Sequence, residues 1–151
     1  MSAPGLLGKM APLLSRLLGP RISLEVGRGD GIWPLMADAS TLERVIMNLV
    51  LNARDAMRGR SGARVRLSME NVVLDEEAAA ELAAVAPGAY VCIAVEDNGP
   101  GVPAEIIDRI FEPFFTTKST TDGSGLGLSM VYGVVRQSGG YLSVDSPPGQ
   151  G

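Results

Sequence analysis

No histidine occurs anywhere in the 151 residues, and that absence removes a large part of enzyme chemistry. Ser-His and Cys-His nucleophile pairs, histidine-ligated zinc and a histidine general base are excluded within this chain. Cysteine is nearly absent too. Cys92 stands alone, so no internal disulfide can form, which fits a reducing compartment. Because it lies in the apolar run "AYVCIAVED", Cys92 is expected to be a small core residue. The opening "MSAPGLLGKMAPLLSRLLG" lacks the basic-then-apolar order of a secretory leader, and no later apolar run reaches bilayer length. A cytoplasmic domain without membrane contact is expected. A basic excess is missing as well: 13 Lys plus Arg against 17 Asp plus Glu give a net charge of −4, which argues against a nucleic-acid partner. What is present is the composition of a soluble globular domain, 46% apolar and 20% charged, at a length that makes one domain over 1–151 the expectation.

Leu6, Leu7, Met10, Leu13, Leu14, Leu17 and Leu18 recur at helical spacing, interrupted by Pro12, and predict a short or kinked helix ending at Gly19-Pro20. Ile22, Leu24 and Val26 alternate as a strand, and so do Val65, Leu67 and Met69. Between them "DASTLERVIMNLVLNARDAM" is the strongest helical pattern. Ser40 and Glu43 there suggest a capping box, with Leu42, Val45, Leu49, Ala53 and Ala56 on the buried face and an end near Gly59. "LDEEAAAELAAVAPG" reads as a short surface helix or ordered connection. "AYVCIAVED", apolar on both faces, is expected to be a central strand. A short helix from Pro103 to Ile110, a lid loop over about 111–125, a helix marked by Leu128, Val131, Tyr132 and Val135 and ended by Gly139-Gly140, and a strand at "YLSVDS" complete the series. Mixed in this order, the elements predict an α/β (α+β) two-layer sandwich, a mixed sheet packed against helices.

Three clusters carry chemistry. At 100° per residue, Asn48, Asn52 and Asp55 fall within about 60° of one another at the rim of the buried face. They could be a polar flank. Asparagine, however, costs helix propensity relative to Lys, Glu or Gln, and two of them a turn apart suit oxygen ligation of a hard cation such as magnesium. In "VEDNGPGVP", Asp97 shares strand parity with Val91, Ile93 and Val95, so its carboxylate points with an apolar face. Its partners could be donors of its own turn, or the exocyclic amine of a purine reached past Gly99 and Gly101. In "GSGLGLS", Gly123, Gly125 and Gly127 precede a helix whose first N–H groups can face phosphate, although a flexible loop would look the same. Phe111, Phe114 and Phe115 suit lid anchors or plain core, leaving Thr116, Thr117 and Lys118 to meet a nucleotide.

Taken together and in order, "NLVLNARDAM", "DNGPGVP", "IFEPFFTTK" and "GSGLGLSMVYGVV" resemble the N, first glycine, F and second glycine boxes of the GHKL nucleotide-binding superfamily. Within it they resemble the catalytic ATP-binding domain of sensor histidine kinases, hybrid types included. The resemblance implies a Bergerat-type fold with ATP between the N-box helix and the lid. It implies that Asn52 and Asn48 coordinate magnesium, that Asp97 binds the adenine amine, and that Gly99 and Gly101 shape the adenine pocket. Gly123, Gly125, Leu126 and Gly127 would face the phosphates, with Asp55, Thr116, Thr117 and Lys118 as further nucleotide contacts and Asn48 and Lys118 in the catalytic positions. The chain departs from the pattern twice. It ends at "SPPGQG", where related domains continue into one more strand, so a final edge strand is expected to be missing. In place of the familiar arginine after the F-box aromatics it has Thr116-Thr117-Lys118.

In the hydrolysing branches of the superfamily a glutamate one turn before the magnesium asparagine activates water. Asn48 stands at that place here, and Glu43 lies about 140° away round the helix. Slow hydrolysis is therefore expected, with the γ-phosphate kept for a histidine on a separate dimerisation hairpin and passed on to a response-regulator receiver domain. No dimerisation or phosphoacceptor domain is expected in this chain. The alternatives are a catalytically silent ATP-binding or scaffolding module, marked by ATP–magnesium binding without transfer, and a GHKL ATPase or protein-serine kinase, marked by turnover in isolation.

Overall fold

The computed structural model describes residues 1–81, 85–101 and 127–143. Helix α1 spans Ala3–Leu18. Ser2 caps it through the Gly5 N–H, Pro4 occupies its first turn, and Gly19 ends it at φ 83° while donating to the Ser15 carbonyl. Pro12 lies inside the helix without ending it, so α1 runs for 16 residues. Its buried stripe of Ala3, Leu7, Met10, Leu14 and Leu18 follows the helical period.

Strand β1 (Ile22–Val26) lies parallel to β2 (Ala63–Leu74), and helix α2 (Ala39–Ala56) makes the crossover that a parallel pair requires. Strand β3 (Gly88–Asp97) runs antiparallel to β2, giving a mixed sheet of order β1-β2-β3. Along β2 the alternation is sharp: Ala63, Val65, Leu67 and Met69 are buried, whereas Arg64, Arg66 and Glu70 are exposed. The buried row meets Leu7, Met10, Leu14, Leu18, Ile46, Val50, Ala53 and Met57 in one core between sheet and helices. Full burial of each larger side chain is worth about 1.5–3 kcal/mol. Helix α3 (Glu76–Glu81) is a short surface helix opened by the Asp75 carboxylate, which accepts from the Ala78 N–H at 2.7 Å. Helix α4 (Gly127–Gln137) packs on α2 with Val131 buried, and Gly139 at φ 81° ends it. The result is the expected two-layer α/β arrangement.

Several expectations are corrected. The capping box at Ser40 and Glu43 does not form. Asp38 occupies the N-cap position, and its carboxylate accepts from the Ser40 and Thr41 hydroxyls at 2.7 and 3.0 Å. These bonds, Ser40's first, hold the Asp38 carboxyl below the usual carboxylate range. The helix ends at Ala56, three residues before Gly59. Its buried residues are Val45, Ile46, Val50 and Ala53, while Leu42 and Leu49 are half-buried and Ala56 is exposed. The buried face is thus turned about 40° further from the asparagines than the sequence pattern indicated. Among the described residues β2 has strands on both sides, and whether β3 is central turns on residues outside them. Cys92 is exposed because strand alternation puts it opposite Ile93 and Val95, across from Glu70. The helix from Pro103 and the lid loop lie outside the described residues. Of "YLSVDS", residues 141–143 are described and carry no strand.

Leu14 is fully buried at the centre of α1's stripe. Leu14→Ala is expected to cost about 2–5 kcal/mol in urea unfolding, with an unchanged m-value. Cys92 should react with a maleimide in the folded state. Partial desolvation, followed by the nearby Glu70 carboxylate, pushes its thiol up, so labelling should be slow at neutral pH, accelerate as the pH rises, and be faster in Glu70→Gln. A thiol that stays protected until unfolding would contradict this placement.

Candidate functional site

The site begins where β3 runs out. Asp97 is registered opposite fully buried Val65, so it leaves the strand on the core-facing row, as its parity requires. Its Oδ1 accepts from the Gly99 N–H at 2.8 Å. No other hydrogen bond or ion pair engages Asp97 among the described residues. Gly99 is buried, and a Cβ there would sit 2.9 Å from Asp97 Oδ1, 3.1 Å from Met57 Cγ and 3.8 Å from the Ala56 carbonyl. Close approach, not an unusual φ, favours glycine at this position. Gly101 has the left-handed conformation, φ 81°.

Asn98, between these residues, is a structural staple that the sequence reading missed. Its Oδ1 accepts from the Arg64 N–H at 2.7 Å and its Nδ2 donates to the Gly62 carbonyl at 2.9 Å, while its own N–H donates to the Arg64 carbonyl. The side chain thus imitates another residue of strand β3, clamping the turn to the start of β2. Its signal was its place in an Asp-Asn-Gly turn, where asparagine side chains commonly bind backbone.

The turn abuts the C-terminal end of α2. From the level of Ala56, a rise of 1.5 Å per residue places Asn52 about 6 Å and Asn48 about 12 Å further along the axis. Asn52 is half-buried, and its Nδ2 is buried without a hydrogen-bond partner. An unpartnered buried amide typically costs about 1–3 kcal/mol. The sequence puts this donor on the same helix stripe as Asn48. Asp55 is different. Its Oδ1 accepts from Arg54 Nε and Nη2 at 3.3 and 3.2 Å and from Arg58 Nη2 at 3.3 Å, and its side chain is 11% exposed. Arg54 also donates to the Leu17 carbonyl, so Asp55 belongs to a tie between α2 and the end of α1 and stands apart from the two amides.

The described residues contain no cluster of three His, Cys, Asp or Glu that could hold a metal. Beyond Asn48 an open hollow continues along α2, lined by Ser40, Glu43, Arg44, Met47 and Asn48. Asp97 does not line it. Gly127 begins α4, which packs on α2. Thr116, Thr117, Lys118, Gly123, Gly125 and Leu126 lie outside the described residues. No helix among the described residues is long and apolar enough to cross a membrane.

A carboxylate turn thus abuts the helix that carries a buried amide unsatisfied among the described residues, in a mixed-sheet sandwich. Residues 37–151 match the family described as Histidine kinase-, DNA gyrase B-, and HSP90-like ATPase. The chain belongs to this ATPase family. The sensor kinase CckA of Brucella abortus (strain 2308) is 43% identical over 145 residues, 96% of this chain and 15% of that protein. The sensory histidine kinase/phosphatase NtrB of Rhodobacter capsulatus is 34% identical over 119 residues, 78% of this chain and 31% of that protein. This ATPase domain therefore spans a minor part of the sensor kinases it matches. Among solved structures, the mycobacterial sensor histidine kinase MprB superposes with a TM-score of 0.66 at 25% identity, over 89% of this chain and 76% of that one. The catalytic domain of histidine kinase ThkA gives 0.60 at 25% identity, over 89% and 74%. Membership implies ATP binding, with the fold of histidine kinase ATP-binding domains.

Asn98→Ala removes two hydrogen bonds that close the turn onto β2. It is expected to destabilise the ATPase domain by about 1–3 kcal/mol in chemical denaturation. Asn98→Asp, which keeps the acceptor for Arg64, should lose less. Equal stability of all three proteins would contradict the staple.

Proposed function

We propose that this domain binds Mg-ATP and donates the γ-phosphate in trans to a histidine on a dimerisation hairpin, within two-component signalling in the cytoplasm, with a response-regulator receiver domain as the next acceptor. The observation that carries this reading is the buried, unpartnered Asn52 amide lying one helical turn along α2 from the Asp97–Gly99 turn. The residues fit the nucleotide. The free oxygen of the Asp97 carboxylate can accept from the adenine amine, with Gly99 and Gly101 leaving room for the base. Asn52 and Asn48 supply amide groups at the phosphate level, and rotation of the carboxamide about χ2 presents oxygen to magnesium or N–H to phosphate. Gly123, Gly125, Leu126 and Gly127 would line the phosphates at the start of α4, and Thr116, Thr117 and Lys118 would close over them.

Magnesium, when bound, neutralises phosphate charge. The chain's own part is positioning: Asp97 fixes the base, and Asn48 with Lys118 holds the terminal phosphate for attack. In the transfer, an imidazole nitrogen forms a bond to the γ-phosphorus and the bond to the β,γ-bridging oxygen breaks. ADP leaves with the electron pair, and the other ring nitrogen loses its proton to solvent. Asn48 stands where a water-activating glutamate would be, and Glu43 is exposed on the rim of the hollow. Among the described residues, therefore, no base is aimed at water. Asp55, held by two arginines, would contact the nucleotide only through rearrangement of those pairs.

Asp97→Ala should weaken ATP binding by at least about tenfold, roughly 1.4 kcal/mol, and erase discrimination against GTP in titration calorimetry. Asn52→Ala should abolish the magnesium dependence of binding. Incubation of the chain with labelled ATP and a separately produced histidine hairpin should yield acid-labile phosphohistidine. Unchanged affinity in Asp97→Ala would refute the adenine assignment. Rapid ATP turnover by the chain alone would favour an ATPase, and binding without transfer a silent module.

A further inference from the structure

The structure assigns an oxyanion site, suited to phosphate or a small phosphoester, to a second hollow of about 370 Å³ lined by Arg21, Gly59, Arg60, Ser61 and Gly62. It lies where the loop from α2 to β2 passes the start of β1. Ile22 is in register with Ala63, so the parallel pairing brings Arg21 to the side of Gly62, and two guanidinium groups from separate parts of the chain meet at one concavity. No carboxylate lines it. Arg54 and Arg58, just before the loop, share the Asp55 carboxylate, and on β2 Arg66 is registered between Glu25 and Glu96. Arg64, nearer the hollow, faces Ser23 and the Asn98 amide instead. Arg21 and Arg60 are exposed and make no ion pair among the described residues. A chain of net charge −4 thus keeps an uncompensated cationic concavity, which concentrates anions.

The donors present select the anion. Guanidinium offers N–H groups in a fixed fork that matches the oxygens of a phosphate, and two such forks suit a group of double charge better than a single carboxylate. The loop adds neutral donors. Gly59 and Gly62 are left-handed, φ 73° and 68°, and turn backbone of this kind directs N–H groups into one concavity. The N–H groups of Gly59, Ser61 and Gly62 and the Ser61 hydroxyl bond to no described residue, whereas the Arg60 N–H donates to the Met57 carbonyl. Nothing lies within 4 Å of where a Cβ on either glycine would stand, so the floor is open to a ligand. The volume is at the lower end of small-molecule sites and exceeds what a bare phosphate needs. This site is separate from the proposed nucleotide site. Neither Asp97 nor Asn52 lines it, and Asn98, whose Nδ2 donates to the Gly62 carbonyl, joins the loop to the Asp97 turn.

The test titrates the full chain, free of nucleotide, with inorganic phosphate at constant ionic strength while backbone amides are followed by nitrogen-resolved NMR. Saturable shifts are expected at Gly59, Ser61 and Gly62. Arg21→Ala and Arg60→Ala should each weaken phosphate binding there by about tenfold or more, as for loss of a charged hydrogen-bonding partner. Arg21→Lys and Arg60→Lys keep the charge without the fork and should fall between. Arg28→Ala, an exposed arginine beyond the other end of β1, should bind as the parent does. Asn52→Ala should leave the loop shifts unchanged, which separates this site from phosphate entering the nucleotide site. Glycerol 3-phosphate distinguishes the sources, since tighter binding than inorganic phosphate marks an esterified ligand and weaker binding the free ion. Thermal unfolding verifies the fold of each variant. Equal shifts in sodium chloride, equal affinity for acetate, or unchanged phosphate binding in both Arg→Ala variants would overturn the assignment. Because no step involves ATP, such a failure leaves the proposed function standing.

Discussion

The close approach of the Asp97–Gly99 turn to α2 is the constraint on which the rest of the molecule depends. Gly99 has a protein atom on either side of where a Cβ would stand, the carboxylate of Asp97 at 2.9 Å and Met57 Cγ at 3.1 Å. A side chain at 99 would have to displace the Asp97 carboxylate and the Met57 side chain for the end of β3 to lie against the end of α2. That contact aligns a sheltered carboxylate with a helix carrying two asparagines, and it fixes the distance between them by helix rise alone. Loosening it would separate the two halves of the proposed site while leaving each half intact.

The polar groups of this chain divide by whether the protein itself satisfies them. Asn98 completes the backbone ladder of β2. Asn71 spans the loop after β1, accepting from the Trp33 N–H and donating to the Gly31 carbonyl. Asp38 holds two hydroxyls and Asp55 two guanidinium groups. These arrangements are closed. Among the described residues Asn52 is the exception, a buried donor left open, and Asp97 has one oxygen that none of them engages. A fold tolerates such a deficit, about 1–3 kcal/mol, where a ligand removes it. The family membership supplies the kind of ligand, and in the proposed site the helix would supply its orientation.

Much of this was legible in the sequence because periodicity reports burial directly. The alternation of Val65, Leu67 and Met69 and the parity that carries Asp97 to the core-facing row both hold in the fold. The same parity, counted one residue over, would have put Cys92 outside, but an unbroken apolar run obscured it. The capping box read at Ser40 and Glu43 did not disclose that the Asp38 carboxylate would take the N-cap position and gather the Ser40 and Thr41 hydroxyls. The turning of α2's buried face, about 40° on a helical projection, arises from packing against α1, the sheet and α4 together, which no single-helix pattern contains. The Asp55 pairs with Arg54 and Arg58 are local to α2 and could have been read from the i,i+3 spacing, whereas Asn98 was missed because its partners are 34 and 36 residues away, a fact of tertiary structure. The loneliness of Asn52 is of the same kind. Its position on the stripe could be read, but its lack of a partner could not.

The central claim is that one ligand spans the turn and the helix. Nitrogen-resolved NMR of the labelled chain tests it directly, by following the Asn52 side-chain amide and the Gly99 backbone N–H during titration with ATP and magnesium. The account predicts that both resonances shift together along a single binding curve and that adenosine alone moves Gly99 far more than Asn52. If ATP binds while both resonances stay still, or if they follow separate curves, the two halves do not form one site.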